Sequence, residues 1–147
     1  PGAWAPINMT WGIENRTTAF RAIMGGASSQ RVENRLPGAD SNPYLALAAT
    51  LGAGFLGIKE KIEPTKETIG GAYELKLEKK YQVPSDLREA AKLFKNSDSA
   101  KDLFGDKFVN HFANSRMWEF QEFQKSENLF NTSSISLWEL ERYFEII

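Results

Sequence analysis

Gln30-Arg31-Val32-Glu33-Asn34-Arg35-Leu36-Pro37 is the stretch from which the rest of the chain is read. Its charges alternate with Val32 and Asn34, a period of two, which is the side-chain period of a β-strand. Arg31, Glu33 and Arg35 should therefore share one face of a strand over 31–36, with Val32 and Leu36 on the other. Two guanidiniums flanking a carboxylate suit anionic oxygens, and the carboxylate suits a hard cation, a charge pattern that a magnesium–nucleotide phosphate would match. The same row also serves as a solvated strand face whose surface ion pair is worth about 0–1 kcal/mol.

Working outward, 7–11 alternates apolar and polar residues and reads as a strand, Gly12 to Asn15 as a turn, and 17–23 as a second strand rich in β-formers. The three strands are expected to form a small antiparallel meander. Downstream, Pro37-Gly38-Ala39-Asp40-Ser41-Asn42-Pro43 ends the third strand and opens a helix, with Ser41 or Asn42 as cap and Pro43 at its first position. From Tyr44 to Ile58 there is no charge. Leu45, Ala48, Ala49, Phe55, Leu56 and Ile62 form one stripe, and Leu47, Leu51 and Ile58 another. A helix apolar nearly all round is expected to be buried. It is too short to span a membrane before Lys59-Glu60-Lys61.

Residues 63–83 are charged and aperiodic and read as a loop, with a mobile turn at Gly70-Gly71. Helices are expected over 86–95, 98–104 closed by Gly105, and 106–124, where Val109, Phe112, Ala113, Met117, Phe120 and Phe123 recur at helical spacing. Ser136-Leu137-Trp138-Glu139 is a capping box that starts a last helix. The fold class is α+β: about three strands, then four or five helices. Some of the large apolar helical surface would need a partner segment.

The chain has 147 residues, a net charge of −1 and no cysteine. Disulfides, thiolate catalysis and cysteine–zinc sites are excluded, and nothing global attracts nucleic acid or an anionic membrane. One histidine, His111, leaves no polyhistidine metal site, and its place in an apolar pattern predicts a packed residue. The chain begins without Met and without a signal-peptide layout, which suggests a piece of a longer, cytoplasmic protein. The sequons at Asn8, Asn15 and Asn131 are accordingly read as chance matches.

Two segments carry a more specific message. Asn15-Arg16-Thr17-Thr18-Ala19-Phe20-Arg21, and Arg31-Val32-Glu33-Asn34-Arg35 running on into Asn42-Pro43-Tyr44-Leu45-Ala46, together resemble the C-terminal part of the glutamine synthetase catalytic domain. The wording of Trp11-Gly12-Ile13-Glu14-Asn15-Arg16-Thr17 and of Arg35-Leu36-Pro37-Gly38-Ala39-Asp40 is most similar to the γ-glutamylpolyamine synthetase branch. Phe108-Val109, Trp118-Glu119-Phe120 and Trp138-Glu139 resemble that branch more loosely. The strong part covers 5–62.

The resemblance implies that residues 1–147 are the C-terminal portion of a longer catalytic domain. It implies an ATP-dependent ligase that forms a γ-glutamyl amide from glutamate and ammonia or a primary amine through γ-glutamyl phosphate. By the family pattern Arg16 and Arg35 face the glutamate carboxylates and the transferring phosphate, Arg21 and Arg31 face ATP phosphates, and Glu33 is a ligand to Mg²⁺ or Mn²⁺. The family's remaining metal ligands and its N-terminal domain have no counterpart in this sequence, so this chain alone is expected to be inactive. The intact protein is expected to form homo-oligomeric rings. A non-catalytic structural relative and an unrelated binding module remain alternatives, and the acceptor amine stays open.

Overall fold

Short runs of β-formers around a tight turn build a small sheet. The computed structural model describes residues 4–126 and 135–144, in two units, Pro1–Val83 and Pro84–Ile147. In the first unit β1 is Trp11–Ile13, β2 is Phe20–Ile23 and β3 is Arg31–Asn34, in the order β1-β2-β3. β2 and β3 pair antiparallel, with Arg21 opposite Glu33. β1 and β2 pair parallel, with Gly12 opposite Arg21, so the sheet is mixed rather than the expected antiparallel meander. The reason lies in residues 14–19, which turn the chain twice. Glu14 takes a left-handed conformation (φ 52°), and Asn15 and Thr18 fold the following backbone with their side chains.

Gly12, expected in a turn, lies in β1 and is buried. A Cβ there would stand 2.8 Å from the Thr68 carbonyl oxygen, so only glycine lets the 63–83 segment lie against β1. That segment is irregular, as expected, with single 3₁₀ turns at Ala72–Glu74 and Lys79–Tyr81. It is nevertheless pinned. Thr68 N–H donates to the Trp11 carbonyl (2.9 Å), Met9 N–H to that of Tyr81 (2.6 Å) and Val83 N–H to that of Ile7 (3.1 Å). Asn8, 3% exposed, donates to the Ala72 carbonyl (2.7 Å). Its amide is thus an internal strut, which bears out the reading of its sequon as chance. Asn131 lies outside the described residues.

α1, Pro43–Lys59, starts where expected. The Asn42 side chain accepts from the backbone N–H groups of Tyr44 and Leu45, and Pro43 occupies the first turn. Its expected burial is corrected. Only Leu56 is buried, while Tyr44, Leu47, Leu51, Phe55 and Ile58 are all well exposed. Periodicity reports how apolar a helix is, not what covers it, and among the described residues nothing covers this face. One polar tie reaches it from the sheet, Asn34 Nδ2 donating to Thr50 Oγ1 at 2.9 Å.

The second unit is helical: α2 Leu87–Asn96, α3 Asp98–Phe104, α4 Asp106–Ser126 and α5 Leu137–Tyr143. Asp86 caps α2, and Gly105 closes α3 in the left-handed region (φ 79°). The capping box at Ser136 and Glu139 forms as read. Val109 and Ala113 are buried on α4. Phe112 stacks on Phe108 and meets Phe94 edge-on, each at 5.7 Å between ring centroids. The aromatic stripe thus packs ring on ring, half-buried beside the buried Val109 and Ala113. His111, expected to be packed, is exposed, because the buried side of α4 is defined by Val109, Phe112 and Ala113 and its position falls off that side.

What the periodicity did not reveal is Glu119, 2% exposed on α4. It accepts from Arg142 Nε (2.6 Å) and Nη2 (3.1 Å) and from the Tyr143 hydroxyl (3.0 Å), all on or near α5. The Arg142 guanidinium holds the Glu119 carboxyl below its ordinary range. Burial, helped by Glu119, pushes the Tyr143 hydroxyl up to about 12. A buried carboxylate stays only where its oxygens are satisfied, so this group fixes α5 to α4. No described helix is long and apolar enough to cross a membrane.

Candidate functional site

The period-two row brings two of its three charges together, Glu33 on β3 and Arg35 just beyond it. Glu33 accepts from Arg35 Nη1 on one oxygen (3.0 Å) and from Arg21 Nη1 on the other (3.2 Å). Arg21 reaches it because antiparallel pairing puts the two residues directly opposite. Asn34, on the other face, points to α1. One carboxylate thus sets two guanidiniums side by side. Their positive charge keeps the Glu33 carboxyl below its ordinary range, chiefly through the Arg21 hydrogen bond. Arg35 also donates through Nη2 to the Trp4 carbonyl (2.8 Å). The Nε atoms of Arg21 and Arg35 are buried with no hydrogen-bond partner among the described residues.

Arg21 carries a second carboxylate. Its Nη2 donates to Glu14, and the two acids together hold the guanidinium pKa above its ordinary value, Glu14 contributing most. Sequence reading missed Glu14, which lies just before the motif that drew attention. The available signal was its sequence distance from Arg21 across a turn, and that becomes informative only once β1 and β2 are known to be parallel.

Beside this group is an open cavity of about 640 Å³, lined among others by Glu14, Arg16, Arg21, Glu67 and Ile69. Its walls depend on Asn15. That side chain donates to the carbonyls of Thr68 (3.0 Å) and Gly70 (2.8 Å) and accepts from Thr17 N–H (3.0 Å) and Thr17 Oγ1 (2.7 Å). Thr17 Oγ1 in turn accepts from Ala72 N–H (2.9 Å). The Asn15 sequon is therefore also a structural asparagine with both amide hydrogens used. Arg16, between these anchors, is exposed in the cavity and forms no ion pair with any described residue.

The structure thus gathers Arg21, Glu33 and Arg35 into one bonded group and puts Arg16 in the same cavity as Arg21. Arg31 lies on the β3 face of Glu33 by register, but its Nη1 donates to the Ser29 carbonyl (3.0 Å) and it stays outside the bonded group. The exposed Arg16 guanidinium, without an ion pair among the described residues, and Arg21 beside it in the cavity fit an anionic ligand rich in oxygens, such as a phosphate chain. The metal is a different matter. Glu33 is a single carboxylate with both oxygens engaged, and no cluster of three His, Cys, Asp or Glu side chains stands together among the described residues. These residues alone do not make a divalent-cation site.

The chain belongs to the glutamine synthetase family: the family model for the glutamine synthetase catalytic domain matches residues 1–143. The family is that of the glutamate–ammonia and glutamate–amine ligases. Over 145 residues the chain is 41% identical to a glutamate–isopropylamine ligase of a Pseudomonas species, covering 99% of this chain and 30% of that protein. It is 42% identical over 145 residues to a γ-glutamylethanolamide synthetase of Streptomyces coelicolor, covering 99% and 29%. It is 35% identical over 153 residues to a glutamine synthetase of Pyrococcus woesei, covering 98% and 35%. The chain therefore spans about a third of the length of the curated relatives it matches.

Proposed function

We propose that residues 1–147 are the C-terminal portion of a longer catalytic domain that joins glutamate to an amine or to ammonia at the expense of ATP. The observation that carries this reading is the Arg21–Glu33–Arg35 group, with Arg16 in the adjoining cavity and unpaired among the described residues. In the reaction, a side-chain carboxylate oxygen of glutamate bonds to the γ-phosphorus of ATP as the bond to the ADP oxygen breaks. The nitrogen of the amine then bonds to the acyl carbon, phosphate leaves with the acyl C–O electron pair, and the amine loses a proton.

Phosphoryl transfer asks of a protein mainly positioning and charge neutralisation. Arg16 and Arg35 are assigned to the glutamate carboxylates and the transferring phosphate, and Arg21 and Arg31 to the ATP phosphates. Glu33 is assigned as one oxygen ligand of Mg²⁺ or Mn²⁺, the other ligands lying outside the described residues. Its further task needs no metal: it holds two guanidiniums whose like charges would otherwise drive them apart. Homologues named for isopropylamine and ethanolamide support a primary amine as acceptor, and those named glutamine synthetase keep ammonia in the comparison. A ring-forming assembly and a cytoplasmic location belong to the same reading.

The test is trapping. Full-length protein given ATP, Mg²⁺, glutamate and hydroxylamine should yield γ-glutamyl hydroxamate, and none should form without ATP. Failure to form it, from folded protein, would favour a non-catalytic structural relative. The 147-residue chain alone should give no turnover, and hydroxamate formation by it would overturn that part of the proposal.

A further inference from the structure

Glu14 is one of three non-glycine residues, with Trp4 and Lys61, that take a left-handed backbone among the described residues. It sits at the end of the β1 turn with φ 52°, a conformation that glycine and asparagine adopt far more readily than a residue with a long side chain. Its backbone needs nothing from its side chain, since Glu14 N–H donates to the Ala22 carbonyl (2.9 Å) whatever residue stands there. What a glutamate adds is reach. Its carboxylate meets Nη2 of Arg21, while Nη1 of the same guanidinium meets Glu33 at 3.2 Å. Both terminal nitrogens of Arg21 are thus committed, one to each carboxylate. A planar fork held at both tips cannot rotate about its long stem, and its remaining N–H groups keep a fixed direction. Glu14 and Arg21 both line the cavity that also holds Arg16.

We propose that Glu14 is a positioning residue for phosphoryl transfer, orienting Arg21 toward the nucleotide phosphates from a backbone position strained to place it. The inference rests on the ligase reading above and deepens it. It differs from a mere counter-charge role in direction. A counter-charge only lowers the positive potential of the cavity, so its loss should tighten ATP binding and lower the KM for ATP. A positioning residue holds a group for the transition state, so its loss lowers kcat.

The test uses full-length protein with the variants Glu14→Asn and Glu14→Gln, measuring amine-dependent ADP release and thermal midpoint. Glu14→Asn suits the left-handed backbone but cannot reach Arg21. It should melt at or above wild type and lose about tenfold or more in kcat, the effect of one charge-assisted contact. Glu14→Gln keeps the reach and an acceptor oxygen without the charge, and should fall between the two. The proposal is overturned if Glu14→Asn keeps kcat within about twofold. It is equally overturned if both variants lose activity only in step with stability, or if their main effect is a lower KM for ATP. These results would leave the ligase reading standing. A wild type that releases no ADP with any amine would remove both.

Discussion

Replacing Asn15 by alanine should loosen the cavity wall without unfolding the sheet. The side chain makes four hydrogen bonds, two of them to the carbonyls of Thr68 and Gly70. Each neutral bond is worth about 1 kcal/mol net. Only the two carbonyl bonds tie Asn15 to the 65–72 segment, and the Gly70 contact is exposed, so water replaces it at little loss, leaving about 1 kcal/mol for the Thr68 bond. Local opening of the 65–72 segment should become easier by that amount, about fivefold. Thr68 N–H, which donates to the Trp11 carbonyl at 2.9 Å, is a suitable reporter. Hydrogen–deuterium exchange of the peptide containing it, in full-length protein, should accelerate about fivefold while peptides from β2 and β3 stay protected. Asn15→Asp keeps the acceptor for Thr17 but sets a carboxylate against two carbonyl oxygens, and should loosen the segment at least as much. Acceleration of less than about twofold in both variants would refute the claim that Asn15 holds this wall.

Further outcomes follow from the same geometry. Arg35→Ala in the full-length protein should cost about 10²–10³ in kcat, with the circular-dichroism spectrum unchanged; a loss of tenfold or less removes Arg35 from contact with the reacting groups. Glu33→Gln should shift the Mg²⁺ titration of activity to higher concentration, and a curve that overlays wild type ends its assignment as a ligand. The folded-state pKa of Glu119 is lowered, so its stabilising effect is full above the unfolded carboxyl value of about 4.3 and fades as pH falls through the folded value. Denaturant melts of wild type and Glu119→Gln should therefore differ clearly at pH 7 and converge at low pH. A constant difference across the range would show that the Arg142 pairing is not the cause.

Local signals in the sequence carried most of this architecture. Alternation at 31–35 placed Glu33 between two arginines, and Asn42-Pro43, Gly105 and the Ser136–Glu139 box marked real helix ends. These devices depend on a few neighbouring residues, so a sequence displays them in full. What was not legible depends on distant pairing. The parallel register of β1 on β2 comes from a double turn at 14–19, and Glu14 gains its meaning only from that register. Gly12 looked like a turn residue, because its reason for being glycine is the Thr68 carbonyl far along the chain. The exposure of α1 could not be read from a stripe that is apolar on every side. Of the candidate site, Arg21, Glu33 and Arg35 meet as alternation and pairing allow, whereas Arg31 bonds locally to Ser29 instead.

ADP release by the full-length protein, with Mg²⁺, ATP and glutamate across a panel of amines that includes ammonia, isopropylamine, ethanolamine and putrescine, tests the central claim most directly. The account predicts ADP release that requires glutamate, depends on the amine, and falls at least a hundredfold in Arg35→Ala. Release independent of glutamate and amine, or none from folded protein with any amine, would contradict it.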